Sequence, residues 1–296
     1  MGGNALKDTR RISRDEIPAT VSYISEMLQI PGLTSGYIRD NLMGSAGKQA
    51  DSGDLDIAID KERFSIHEIN DVCRNVLGND RVSSNTLKGG QIQTAWPISG
   101  DPECGLVQVD FIAGDPEFLK FTHWSPGKDV SPYKGVFIST LFGVLAKMAK
   151  DYELHNPYTD ERIARVGLRY DLDKGFYRHW EVQKRPGQGV SPVDLHTWES
   201  KVGYWADKLD LGFKLPPHFT DLGYVTNPED GLRLIYGAPV KPEEVTTFED
   251  AWAKVRVCYP HRVEEAKERT IEALMRSGAK YDYTEEQLRN LPVWYD

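Results

Sequence analysis

The chain has 296 residues, 40% of them hydrophobic and 27% charged, enough for one large domain or two modest ones, each with a buried core. Lys and Arg number 36 against 45 Asp and Glu, a formal charge of −9, which excludes a generally basic nucleic-acid coat and leaves room only for a local basic groove. No apolar run reaches the ~20 residues of a membrane span, and residues 1–30 hold neither a signal-peptide core nor, with Leu6 where Ser or Thr is needed, a myristoylation pattern.

The three cysteines, Cys73, Cys104 and Cys258, are odd in number and far apart. They match neither a disulfide framework nor a zinc site and point to a reducing cytoplasm. Along the chain, Ser13-x-x-Glu16 is a capping box ahead of a helix over 17–30, where Ile17, Val21, Ile24 and Leu28 recur at helical spacing. The short apolar strand end Leu42-Met43 runs into Gly44-Ser45. Residues 55–59 alternate acid and aliphatic, the period of a strand. A helix over 65–77 follows, then strands over 91–97 and 106–112 joined by a turn-rich segment, hence a hairpin. A long helix covers 132–152. Segments 162–172 and 176–183 flank Asp173-Lys174-Gly175 as a second candidate hairpin.

From Ser191 onward the patterns turn helical. Pro192 suits a helix start, with Leu195, Trp198, Val202, Trp205 and Leu209 as an apolar stripe that reads as core packing rather than a base-stacking surface. Asn227-Pro228, Thr247 and Thr284 each look like caps of further helices, the last one short. The expected fold is α+β: a catalytic unit over 1–152, a connecting segment over 153–190 and a helical C-terminal region over 191–296.

The informative segment runs from Leu42 to Asp60. Asp54 and Asp56 are two apart on a strand, so both carboxylates leave the same face. Two anions that close repel unless a cation sits between them, and a hard divalent ion such as Mg²⁺ prefers carboxylate oxygens. Upstream, Gly44 lets the backbone approach a ligand closely, and the Ser45 hydroxyl with nearby N–H groups can hold a phosphate. Asp110 sits in an apolar strand, sharing a face with Gln108 and Ile112, where an unpaired carboxylate is costly and a shared metal would serve it. Lys147 and Lys150 on the following helix are in place to reach a triphosphate as point charges. Lys48 is a further candidate for a phosphate contact, against the plainer reading of a solvated loop lysine. Lys88-Gly89-Gly90 reads as an ordinary turn entering a strand.

An apolar residue before Gly-Ser, about ten residues of spacer, Asp-x-Asp between aliphatics and a third Asp on a later strand resemble the DNA polymerase β-type nucleotidyltransferase superfamily. The resemblance covers about the first half of the chain. It implies a mixed sheet backed by helices, with two Mg²⁺ ions (Mn²⁺ as the alternative) held by Asp54, Asp56 and Asp110. It also implies that Gly44 and Ser45 hold the β- and γ-phosphates of a nucleoside triphosphate, ATP being the expected donor. The segment Leu141–Lys150 is similar to the helix of template-independent members in which a lysine touches the triphosphate, a role that maps to Lys147. Those members include CCA-adding, oligoadenylate and cyclic-nucleotide enzymes.

The expected activity is transfer of a nucleoside monophosphate to an acceptor hydroxyl with release of pyrophosphate. The acceptor is left open among an RNA end, a nucleotide, a protein and a small molecule, and the net charge disfavours a long RNA. A nucleotide-binding module without catalysis and a metal-dependent nuclease are the competing readings. A dehalogenase-type phosphatase would need Thr or Val where Ala58 stands. A calcium loop would need a polar residue there and glycine at Ile59, and a Walker loop would need different glycine spacing.

Overall fold

The computed structural model describes residues 6–83, 87–126, 130–133, 135–149, 152–155, 162–183, 190–193, 224–277 and 282–295. β1 (Ile12–Ser13) leads through one helical turn at Arg14–Glu16 into α1 (Ile17–Leu28). The capping interaction is present: the Ser13 backbone N–H and hydroxyl both donate to the Glu16 carboxylate. Thr34 accepts from the Tyr37 N–H to start α2 (Ser35–Asp40), a helix too short for periodicity to reveal. β2 (Asp51–Ser52) pairs antiparallel with β1, and β3 (Asp54–Asp60) follows. Ser65 caps α3 (Ile66–Leu77). β4 (Val82–Ser83), β5 (Gln91–Pro97) and β6 (Leu106–Gly114) complete a four-stranded sheet of order β3-β6-β5-β4. β5 and β6 form the expected antiparallel hairpin, whereas β3 and β6 run parallel, so the sheet is mixed.

One face of this sheet is apolar apart from the buried Thr94, whose hydroxyl donates to the Val109 carbonyl. Leu55, Ile57 and Ile59 of β3 and Val107, Val109 and Phe111 of β6 are fully buried against α1 and α3. Each such side chain contributes about 1.5–3 kcal/mol, so the register of both strands is firmly set. That register leaves Asp54, Asp56, Gln108 and Asp110 no choice but the opposite face.

Asp115 accepts from the Glu117 and Phe118 N–H groups and starts α4 (Pro116–Thr122), which is followed by α5 (Gly135–Met148). The helix expected over 132–152 is therefore shorter: Tyr152 already begins β7 (Tyr152–His155), and Lys150 lies outside the described residues. β8 (Arg162–Asp171) and β9 (Gly175–Gln183) form the second expected hairpin. They belong to a larger antiparallel sheet of order β10-β9-β8-β7, with β10 (Val190–Val193) at one edge and β11 (Tyr224–Val225) also pairing with β9. Pro192 thus lies in a strand opposite Glu181 and does not open a helix. An edge strand accepts proline because one side of its ladder is unpaired. The stripe from Leu195 to Leu209 lies outside the described residues.

The C-terminal region is helical: α6 (Pro228–Tyr236), α7 (Phe248–Cys258), α8 (Val263–Arg276) and α9 (Glu285–Arg289). Asn227, Thr247 and Thr284 cap α6, α7 and α9 as expected. The start of α8 has no side-chain cap, which is why no cap signal announces it. These helices, with α4 and α5, share a second core in which Phe248 and Trp252 both pack edge-on to Trp294. α5, grouped by sequence with the first 152 residues, buries its apolar side there. Among the described residues no helix is long and apolar enough to cross a membrane.

Candidate metal centre

The face of the mixed sheet opposite its apolar core is divided along the strands. At one end Ala58 and Ile112 are covered by Met43 and by Leu119 of α4, a small dry patch. At the other end stand Asp54, Asp56 and Asp110. Parallel pairing sets Asp54 opposite Gln108 and Asp56 opposite Asp110. One oxygen from each of the three carboxylates lies within 4.8 Å of the other two. The three acids singled out in the sequence therefore converge.

Asp110 is buried, with 5% of its surface exposed, and three glutamines hold it. Gln108 donates to Oδ1 at 2.9 Å, and Gln91 and Gln93 donate to Oδ2 at 3.1 and 3.3 Å. Burial raises its pKa, and the three amide donors act in the opposite direction. Asp56 is pushed well above the ordinary carboxylate range, first by burial and then by the charges of Asp54, Asp110 and Asp173. Among the described residues neither Asp56 nor Asp110 forms an ion pair with Lys or Arg. A cluster of hard oxygen donors, two of them carboxylates with no cationic side chain paired to them among the described residues, suits a divalent cation such as Mg²⁺ or Mn²⁺. Asp54, Asp56 and Asp110 are the residues that would hold it.

The 44–45 turn adjoins this cluster. Met43 donates its N–H to the Asp56 carbonyl at 2.8 Å, and Ala58 donates to Asn41 at 2.9 Å. Residues 41–43 thus run along the outer edge of β3 through an isolated bridge rather than as the strand expected from sequence. Gly44 has φ +61°, and a Cβ there would stand 3.2 Å from Asp56 Oδ2. Glycine is needed both for that backbone angle and for the closeness to the carboxylate. Its N–H is committed to the His123 carbonyl at 3.2 Å, so Gly44 offers close approach and not a free donor. The Ser45 hydroxyl meets the Ser52 hydroxyl at 2.9 Å. Lys48 donates to the Gly44 carbonyl at 3.1 Å and lies 4.0 Å from the centroid of the Trp124 ring, a setting whose desolvation lowers its pKa. Lys147 is exposed, one residue from the end of α5. Among the described residues no interaction joins it to the carboxylates.

Sequence reasoning passed over two groups. His123, just after α4, lies 3.3 Å from the carboxylate of Asp173, in the turn between β8 and β9. Burial pulls the imidazole pKa down, and Asp173 pulls it back up. Asp173 itself is raised by burial and lowered by the histidine. A lone histidine and an aspartate in a tight turn carry no spacing signal that joins them. The glutamines were legible: Gln91 and Gln93 alternate on one strand and Gln108 is two residues before Asp110, a polar stripe at strand period.

No family model, curated protein or solved structure matches the chain. The residues and their geometry are what support a functional reading.

Proposed function

We propose that the protein is a Mg²⁺-dependent nucleotidyltransferase, moving a nucleoside monophosphate from a nucleoside triphosphate to an acceptor hydroxyl and releasing pyrophosphate. One observation carries this reading: three carboxylates from two parallel strands converge within 4.8 Å beside a Gly-Ser turn that packs onto one of them. Divalent cations at the carboxylates would supply stabilisation of charge on the attacking and leaving oxygens of an in-line displacement.

The chain's own residues do the positioning. Asp56 and Asp110 are fixed by strand register, and Asp110 is further oriented by Gln91, Gln93 and Gln108. Gly44 keeps the approach to Asp56 clear of side-chain bulk. Ser45 can turn its hydroxyl from Ser52 to a phosphate oxygen at little cost, because Ser52 can still donate or accept. Lys48, tethered to the same turn, adds positive charge where phosphate would enter. Positioning and charge stabilisation are the whole requirement in phosphoryl chemistry of this kind, and no protein nucleophile is called for.

The test is incubation of the purified protein with labelled nucleoside triphosphates and Mg²⁺, followed by pyrophosphate assay and intact-mass analysis of the protein and co-purifying RNA. Pyrophosphate release with a nucleotide mass added to an acceptor supports transfer. Degradation of nucleic acid without nucleotide addition would replace it with the nuclease reading.

A further inference from the structure

A cavity of about 290 Å³ opens at the C-terminal end of β3 and β6. Three lysines from three separate segments reach it. Lys61 follows β3 and is anchored by its N–H to the Gly114 carbonyl. Lys88 lies in the turn before β5, and Lys174 in the turn between β8 and β9. All three are exposed, and among the described residues none of them forms an ion pair. The two carboxylates in the wall are already engaged: Asp115 caps α4 and accepts from Thr226, and Asp173 meets His123. Lys174 is near enough to Asp173 for its charge to be felt there; in a chain of charge −9, three ammonium groups around one cavity, Lys61 and Lys88 without an ion pair among the described residues, mark a place for an anion.

None of the three carboxylates lines the cavity, but two residues of its wall lead towards them past the dry patch. Asp173 lines it and also stands close enough for its charge to be felt at Asp56. On the other side Gly90 lines it, and the next residue, Gln91, donates to Asp110. Tyr224, half exposed, stands at the cavity wall with its ring 4.9 Å from that of Tyr177, an aromatic face on which a base can stack. The volume is near the ~300 Å³ lower end of small-ligand sites, which suits one nucleotide unit and not a duplex.

We infer that this cavity is the acceptor subsite, seating a phosphate of a nucleotide-bearing acceptor among Lys61, Lys88 and Lys174 with its base against Tyr224. The word acceptor rests on the nucleotidyl-transfer reading, but the binding does not. The chemistry is shared by a free nucleotide and by the end of a single-stranded oligoribonucleotide, and the experiment separates them.

Fluorescence anisotropy would measure binding of a labelled short single-stranded oligoribonucleotide and of labelled AMP, at several salt concentrations. The proteins compared are the wild type, the combined variant Lys61→Ala/Lys88→Ala/Lys174→Ala and, as a charge control, Lys7→Ala. The triple variant, checked for folding by circular dichroism, should bind at least tenfold more weakly and with a shallower salt dependence. Lys7→Ala, which removes one exposed lysine that does not line the cavity, should stay within about twofold of the wild type. Lysine-dependent binding of the oligoribonucleotide identifies an RNA end, and of AMP alone a free nucleotide; either supports the subsite. Equal binding by wild type and triple variant, or no binding of either probe by the wild type, overturns it whatever the pyrophosphate assay gives. Lysine-dependent binding without pyrophosphate release would retain the site and remove the transfer reading.

Discussion

Asp56 and Asp110 stand directly opposite one another in the parallel β3–β6 pairing, and both carboxylates leave the sheet away from its apolar core. Because Leu55, Ile57, Val109 and Phe111 are fully buried on the other side, a one-residue slip in either strand would bury charge and expose that strand's large hydrophobes. The core therefore fixes where the acids point.

The first expectation concerns catalysis. Asp54→Asn and Asp56→Asn each remove a negative charge from the cluster without changing side-chain volume. Each should lower the rate of pyrophosphate release by about a hundredfold or more, the scale of losing one preorganised electrostatic contact at a reacting centre. Circular dichroism should show the fold retained.

The second concerns pH. Asp56 is raised well above its ordinary 3.8 by burial and neighbouring carboxylates, so the folded protein keeps a proton there that the unfolded chain has already released. Metal-free stability should therefore fall as pH rises from the ordinary value through the raised one, and stay low above it. Asp56→Asn has no such group. In EDTA it should melt higher than the wild type at neutral pH, and the gap should close at acid pH. Saturating Mg²⁺ should reverse the order, stabilising the wild type by about 2.7 kcal/mol at a hundredfold excess over the dissociation constant.

The third concerns the turn. Gly44→Ala places a Cβ in a left-handed backbone position and 3.2 Å from Asp56 Oδ2. A cost of about 1–2 kcal/mol is expected from the backbone angle alone, measurable by urea unfolding. Activity should fall further than stability explains, because Asp56 must shift to make room.

The fourth concerns the histidine. Burial lowers the His123 pKa below 6.5 and the Asp173 charge opposes that shift. Asp173→Asn should move the imidazole titration further down, read by NMR of the ring protons. The same change removes one of the charges that raise Asp56, so the metal-free loss of stability described above should be smaller and should be complete at a lower pH.

Much of this site is legible from sequence because strand period and burial act locally. The alternation of residues 54–60 and 106–112 puts the three acids on matching faces, and the caps at Asn227, Thr247 and Thr284 announce their helices. What pairing brings together is not local. That β3 lies parallel to β6, and not beside β4, joins segments distant in the chain, which neither segment's own pattern registers. His123 reaches Asp173 only because the β8–β9 turn lands beside α4. The strand at Val190–Val193 was hidden because proline and the residues after it favour a helix locally, while the edge of the β9 sheet offers backbone hydrogen bonds that sequence periodicity does not register.

The most direct test of the central claim is a crystal of the protein soaked in Mn²⁺, with anomalous scattering used to locate the ion. A peak bound by oxygens of Asp54, Asp56 and Asp110 is the predicted result. Well-ordered carboxylates with no Mn²⁺ between them, or Mn²⁺ bound only elsewhere on the molecule, would contradict it.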